Sequence, residues 1–373
     1  MSRLKQLSSF GQSIWIDYIS RRLLTDGGLQ RLIMEEGLRG LTSNPAIFEK
    51  AIAVGKDYRE ALLDAVRRGE RDPEKIYEHL AFEDIRLAAD QMAPVYRESG
   101  GRDGFVSLEV APRFAHDAQS TISQAQRLWA AIARPNLMIK VPATPEGLPA
   151  IEALIAQGVN VNVTLLFSVG VYEGVARAYL RGLEQRAAAG NSVAGIASVA
   201  SFFVSRIDTM VDAELEEQAK SLSGAAREQV LSLRGRAAIA SAKLAYQRFR
   251  ATFSGAEWDA LKSRGAAVQR LLWASTSTKN PAYPDTLYVD ELIGPDTVNT
   301  LPPATLDAFR DHGRLGATLE QDLEGARETM RAIAAAGVSL EKVTGRLLEE
   351  GVRLFAEAYD RLLDAVRGAC EAA

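Results

Sequence analysis

A closed (β/α)8 barrel is the fold class this chain predicts, and three observations predict it. Short β-branched or apolar runs recur eight times with helical segments between them. Polar side chains that such runs should not carry sit repeatedly at their ends. No GxGxxG or GxxxxGKS/T follows any of them, which removes the nucleotide-binding open sheet as the rival arrangement. Alternation of strand and helix implies parallel strands with right-handed crossovers, and eight strands fit a closed barrel better than an open sheet. A chain of 373 residues, 47% of them hydrophobic, can bury a core of that size or fold as two ordinary domains. Nothing in it resembles a linker, a repeat or a low-complexity tract. The expectation is therefore one domain over residues 1–373, a single TIM-type barrel with extra helices inserted and at the C-terminus.

The first run, residues 13–17, ends in Asp17. A carboxylate there is either the N-cap of the next helix or a general acid/base at the barrel mouth, where the functional groups of parallel barrels collect. The second run, 40–42, leads into Thr42-Ser43-Asn44-Pro45, in which Asn44 either makes a turn or hydrogen-bonds a substrate hydroxyl. Residues 48–99 then hold more than one helix, an insertion on the basic unit. The third run, 105–110, carries Glu109, and the fourth, 137–141, carries Lys140 just ahead of Pro142. Burying an unpaired ammonium costs several kcal/mol or leaves the neutral amine as the stable form. A neutral lysine is a nucleophile whose chemistry is carbonyl attack and Schiff-base formation. The rival is a strand-end lysine that snorkels to solvent. Chain order sets the third and fourth runs side by side, so Glu109 either pairs structurally with Lys140 or orients water for making and hydrolysing an imine.

In the fifth run, 159–164, Asn160, Asn162 and Thr164 share one face, expected to point into the barrel, where a polyhydroxylated ligand would satisfy them. Residues 153–172 carry no charge and are long enough to span a bilayer, but their period of two belongs to a strand. The sixth run, 195–201, ends in Ser201 and opens a helix at Arg206, a suitable anion site. The alternative is a surface arginine paired with Asp208 or Asp212. Helices are expected over 117–133, 169–186 and 205–222, and more than one within 224–265. The seventh run, 270–274, precedes the hydroxyl-rich loop Ser275-Thr276-Ser277-Thr278-Lys279, in a place where barrels often bind phosphate. The eighth is 287–289. Residues 317–373 read as two helices parted near Gly337-Val338-Ser339, with Ser339 as N-cap, packed on the outside of the barrel.

A formal net charge of -4 gives no basic field, so nucleic acid has no electrostatic support as a partner, and small anionic substrates need local cations. The one cysteine, Cys370, forms no internal disulfide, and His79, His116 and His312 make no metal-ligand spacing. Chemistry without metal or cofactor is expected. Met1-Ser2-Arg3-Leu4-Lys5-Gln6 has no apolar h-region, which leads us to expect a cytoplasmic protein with no membrane partner. A homo-oligomer is left open.

Six segments, in this order, resemble the transaldolase family. They are Trp15-Ile16-Asp17, Thr42-Ser43-Asn44-Pro45, Ser107-Leu108-Glu109-Val110, Ile139-Lys140-Val141-Pro142-Ala143-Thr144, Asn162-Val163-Thr164-Leu165-Leu166-Phe167-Ser168 and Ser201-Phe202-Phe203-Val204-Ser205-Arg206. The resemblance covers residues 13–303, and length with the loop after the seventh run is similar to the longer bacterial branch. It implies that Lys140 is the Schiff-base lysine, that Asp17 is the acid/base for carbon–carbon cleavage, and that Glu109 with Thr164 holds the catalytic water. It further implies that Asn44, Asn162 and Ser201 contact substrate or imine and that Arg206 contacts phosphate. The family commonly has a second phosphate-binding arginine after the seventh strand, where this chain offers Ser275, Ser277 and Lys279. The implied activity moves a dihydroxyacetone unit between sugar phosphates without a cofactor. A class I Schiff-base aldolase releasing free dihydroxyacetone is the alternative.

Overall fold

Each apolar run finds its neighbour because the helix after it carries the chain back to the start of the next strand. In a computed structural model, which describes residues 2–54 and 56–371, the strands are β1 (Gln12–Asp17), β2 (Gly40–Thr42), β3 (Phe105–Glu109), β4 (Leu137–Pro142), β5 (Val161–Leu166), β6 (Ser198–Phe203), β7 (Arg270–Ala274) and β8 (Thr297–Leu301). Met1, Gly55, Ala372 and Ala373, which the expected 1–373 span includes, lie outside the described residues. All neighbours are parallel and β8 closes onto β1, so the expected (β/α)8 barrel with added helices is the observed fold. Its register sets Asp17 beside Thr42, Glu109 beside Lys140, and Lys140 beside Asn162. The side chains of neighbouring strand ends are thereby brought to one level at the mouth.

The eighth strand departs from expectation. Leu287-Tyr288-Val289 belongs to a helical turn, Leu287–Asp290, because a three-residue apolar run carries no period of its own. Thr286 closes that turn, its carbonyl accepting from Asp290 N and its hydroxyl donating to the Asp290 carboxylate at 2.9 Å. The strand itself is Thr297-Val298-Asn299-Thr300-Leu301, bounded by Pro295 and Pro302. Its threonine and asparagine content masked it.

β5 and β6 begin later than the expected 159–164 and 195–201. Gly158, at φ 90°, caps the preceding helix, and Val159 N still bonds back to Leu154 O. Gly195, at φ 81°, makes a turn before β6. Asn160 therefore precedes β5 and does not line the cavity that Thr164 lines. Its amide donates to Pro135 O and Leu137 O at 2.9 and 3.1 Å, and its oxygen accepts from Ala197 N at 2.9 Å, so it ties strand starts together.

Gly40 lies against Trp15, whose ring would be 2.4 Å from a Cβ added at residue 40. At the floor of the barrel, Arg270 donates to Asp103 and to Ser13, each at 2.8 Å, and Ser13 donates to Asp103 at 2.9 Å. All three are buried.

Of the last two helices, one differs from expectation. Leu323–Ala335 does pack outside the barrel, on Ala237–Thr252. Leu340–Glu371, capped by Ser339 as expected, does not: it crosses the mouth, packing on Pro45–Val54, Pro73–Glu98, Ser205–Ala219 and β5. Its buried stripe of Val343, Leu347, Gly351, Phe355, Tyr359, Leu362 and Val366 needs an apolar seat of matching length, and the mouth provides one. Gly351 passes over Leu165, where an added Cβ would come within 2.9 Å of Leu165 Cδ2. Leu165 itself has φ 61° and marks the register shift between Val163 and Leu166. No helix of the described residues is long and apolar enough to cross a membrane.

Candidate active site

Lys140 is 5% exposed, so the snorkelling alternative fails. Its Nζ donates to Ser43 O at 3.0 Å and lies 3.6 Å from Glu109 Oε2, close enough for an ion pair and beyond hydrogen-bond distance. The ring of Phe355 stands over Nζ with its centroid 6.0 Å away. Asp17, Asn44, Thr164, Ser201, Arg206, Ser275 and Lys279 line one cavity with Lys140, of about 200 Å³. Glu109 and Asn162 join it through neighbours. A larger cavity of about 790 Å³ opens at the strand starts, but its Arg102 and Arg250 are already paired with Asp296 and Glu320.

Asp17 is not a helix cap, since Ser20 Oγ accepts from Leu23 N at 3.2 Å and caps Arg21–Thr25. Instead Asp17 Oδ1 accepts from Thr42 Oγ1 at 2.6 Å, and the hydroxyls of Thr42 and Thr300 are 2.8 Å apart. Burial raises the Asp17 pKa, opposed by the Lys140 charge and by the Thr42 bond. Burial likewise pushes Glu109 up to about 7, opposed by Lys140, while the charge of Asp17 adds to the rise. Glu109 is thus held where a proton can be given or taken near neutral pH, and burial shifts Asp17 in the same direction.

Asn162 has both ends of its amide engaged, donating to Ser107 Oγ at 3.0 Å and accepting from Ser201 Oγ at 2.7 Å. Its remaining N–H is the donor left for a ligand. Thr164 Oγ1 and Glu109 Oε2 are buried without a hydrogen-bond partner among the described residues. Asn44 serves both readings: Oδ1 accepts from Ile47 N at 3.0 Å, shaping the turn, and the residue lines the cavity.

At the other end of the cavity, Arg206 makes no ion pair among the described residues. Asp208 is taken by Tyr288 Oη and Ala238 N, both at 2.8 Å, and Asp212 by Tyr283 Oη at 2.6 Å and Gly235 N at 2.9 Å. The surface-pair alternative is thereby removed. Burial lowers the pKa of Arg206 against the opposing charge of Glu350, and burial followed by the charge of Arg206 lowers that of Lys279. The charge of Arg206 thus disfavours that of Lys279 on the same cavity wall, a potential that a phosphate dianion would relieve. Lys279 Nζ donates to Ser277 Oγ at 2.7 Å, and Ser275, at φ 55°, shares a hydrogen bond with Ser205 Oγ at 2.9 Å.

Thr300 and Phe355 also line the cavity and were not singled out in the sequence. Correct placement of β8 would have put Thr300 at a strand end. Phe355 has no local signal, since only the tertiary path of its helix brings it to Lys140. Among the described residues, no cluster of His, Cys, Asp or Glu could hold a metal ion.

A model of the transaldolase/fructose-6-phosphate aldolase family matches residues 14–366. The chain is similar to a transaldolase of Thiobacillus denitrificans, 49% identical over 363 residues, covering 97% of this chain and 99% of that protein. It is also similar to transaldolases of Trichodesmium erythraeum, 47% identical over 98% of this chain and 97% of that protein, and of Thermobifida fusca, 49% identical with the same coverage.

Proposed function

Since the chain belongs to the transaldolase/fructose-6-phosphate aldolase family and is a transferase of the transaldolase type, we propose that it carries a dihydroxyacetone unit on Lys140. The donor is a ketose phosphate, sedoheptulose 7-phosphate or fructose 6-phosphate, and the acceptor an aldose phosphate, glyceraldehyde 3-phosphate or erythrose 4-phosphate. The observation that carries this reading is the buried Lys140 Nζ, 3.6 Å from Glu109 in a cavity shared with Asp17.

The chemistry follows from these groups. The Lys140 lone pair attacks C2 of the ketose, and loss of water leaves a protonated imine. Glu109 and Thr164, with their unpartnered oxygens, are the pair suited to hold that water as it leaves and returns. Asp17 takes the proton of the C4 hydroxyl, the C3–C4 bond breaks, and its electrons pass into the iminium to give an enamine. The aldose phosphate departs. The enamine carbon then adds to the carbonyl of the acceptor while Asp17 returns the proton, and water frees the new ketose from Lys140. On this reading Asn44, Asn162 and Ser201 bond sugar hydroxyls and Arg206 with Lys279, beside Ser275, holds the phosphate, which their shared cavity and the Ser201–Asn162 bond support.

Mixing fructose 6-phosphate with erythrose 4-phosphate should yield sedoheptulose 7-phosphate and glyceraldehyde 3-phosphate. Stoichiometric free dihydroxyacetone in place of the heptulose would instead establish the Schiff-base aldolase.

A further inference from the structure

A hydroxyl has one proton to give, and this sets the direction of the chain of bonds behind Asp17. Thr42 Oγ1 stands 2.6 Å from Asp17 Oδ1, and an ionised carboxylate can only accept, so the Thr42 proton is committed there. Thr42 must then be the acceptor in its 2.8 Å contact with Thr300 Oγ1. Both threonines are buried, and each belongs to a strand flanking β1, Thr42 to β2 and Thr300 to β8. When Asp17 holds a proton, the chain can run the other way, from carboxyl to Thr42 to Thr300, with every member still bonded.

We propose that Thr300 is a positioning residue, the far end of a reversible two-hydroxyl relay that holds the Asp17 carboxyl in place in both of its protonation states. The proposal rests on the reading of Asp17 as the acid/base of carbon–carbon cleavage. A single threonine against Asp17 would favour one state, because its proton would lose its acceptor when the carboxyl became the donor. With Thr300 behind it Thr42 keeps a partner for both its proton and its lone pair as the Asp17 proton moves, and in the ionised form the bond donated by Thr300 strengthens the one that Thr42 gives to Asp17. The charged groups that face Asp17 are Lys140 on β4 and Glu109 on β3, with Arg206 and Lys279 further along the same cavity. None of these touches Thr300 by hydrogen bond or ion pair among the described residues.

Thr300→Val keeps the shape and removes the hydroxyl, and Thr300→Ser keeps the hydroxyl. Loss of one such bond is expected to lower kcat roughly two- to tenfold and to move the pH limb governed by Asp17 upward by roughly 0.4 to 1 unit in Thr300→Val, with KM nearly unchanged. Thr300→Ser should restore both. Asp17→Asn serves as the control for the underlying reading: it should lose cleavage while borohydride still traps ketose on Lys140. If Asp17→Asn behaves so but Thr300→Val keeps the original kcat and pH profile, the relay is overturned and the Asp17 reading stands. The relay is equally overturned if Thr300→Ser is as impaired as Thr300→Val, because packing of the methyl group would then be the cause. Should Thr300→Val fail to fold, Thr300→Cys replaces it, and an unshifted pH limb there overturns the relay.

Discussion

The proposed role of Lys140 rests on what is absent around it: one carbonyl oxygen and one carboxyl are its only close polar partners among the described residues. Lys140→Ala should abolish transfer, and borohydride with fructose 6-phosphate should add a three-carbon unit to Lys140; mass mapping that finds the adduct on another lysine would sink the assignment. Glu109 supplies a pH signature. Its carboxyl keeps a proton until about pH 7, so the base form, and any step that needs it, should fall away as pH drops through that value. Glu109→Gln should slow turnover by roughly 100-fold or more and erase this limb in kcat/KM measured between about pH 5 and 9. An unchanged limb would assign it to a different group. Arg206→Ala should cost phosphorylated donors roughly 10- to 150-fold in kcat/KM and spare unphosphorylated fructose, with a smaller loss of the same kind in Lys279→Ala. Equal losses for both donors would mean that these cations hold the fold or the imine. At this scale the sequence was legible where a charged residue interrupted an apolar run, as at Glu109 and Lys140. It was mute at Thr300, because a threonine in a strand offends no rule of burial.

Elements in this molecule are legible in proportion to their length and period. Helices such as Ala118–Ile132 and Val169–Ala188 repeat an apolar face often enough to be read directly, and their expected limits lie close to the observed ones. Leu287–Asp290 is too short to show a period, and β8 was missed because its polar residues hide a strand bonded on both edges. Gly40 in β2 shows how tightly such a short strand is specified. With the ring of Trp15 filling the space of its Cβ, Gly40→Ala should destabilise the protein by about 1 to 3 kcal/mol, seen as a lower midpoint of thermal unfolding. An unshifted midpoint would show that Trp15 moves aside freely.

Over the whole molecule, the two ends of the barrel divide their labour: the mouth holds the cavity lined by Lys140 and Asp17, and the floor holds the satisfied cluster of Arg270, Asp103 and Ser13. Arg270→Met leaves Asp103 buried and unpaired, so it should cost about 3 to 5 kcal/mol of stability while kcat of the folded enzyme changes little. A fall in kcat without a fall in stability would contradict that division. The barrel could be expected from sequence because eight repeats of one unit reinforce each other, whereas the path of Leu340–Glu371 over the mouth could not, since it depends on partners far away in the chain. Arg361 pairs with Glu49 across 312 residues, and Tyr359 donates to Glu74 across 285. That separation has a consequence in time. At ~5 to 20 residues per second, Glu49 leaves the ribosome roughly 15 to 60 s before its partner exists. During synthesis, then, Lys140 is made before the helix that will roof it. The roof arrives late, so, on the reading of Lys140 as the Schiff-base residue, the same helix that shapes the finished site also sets when that site is complete.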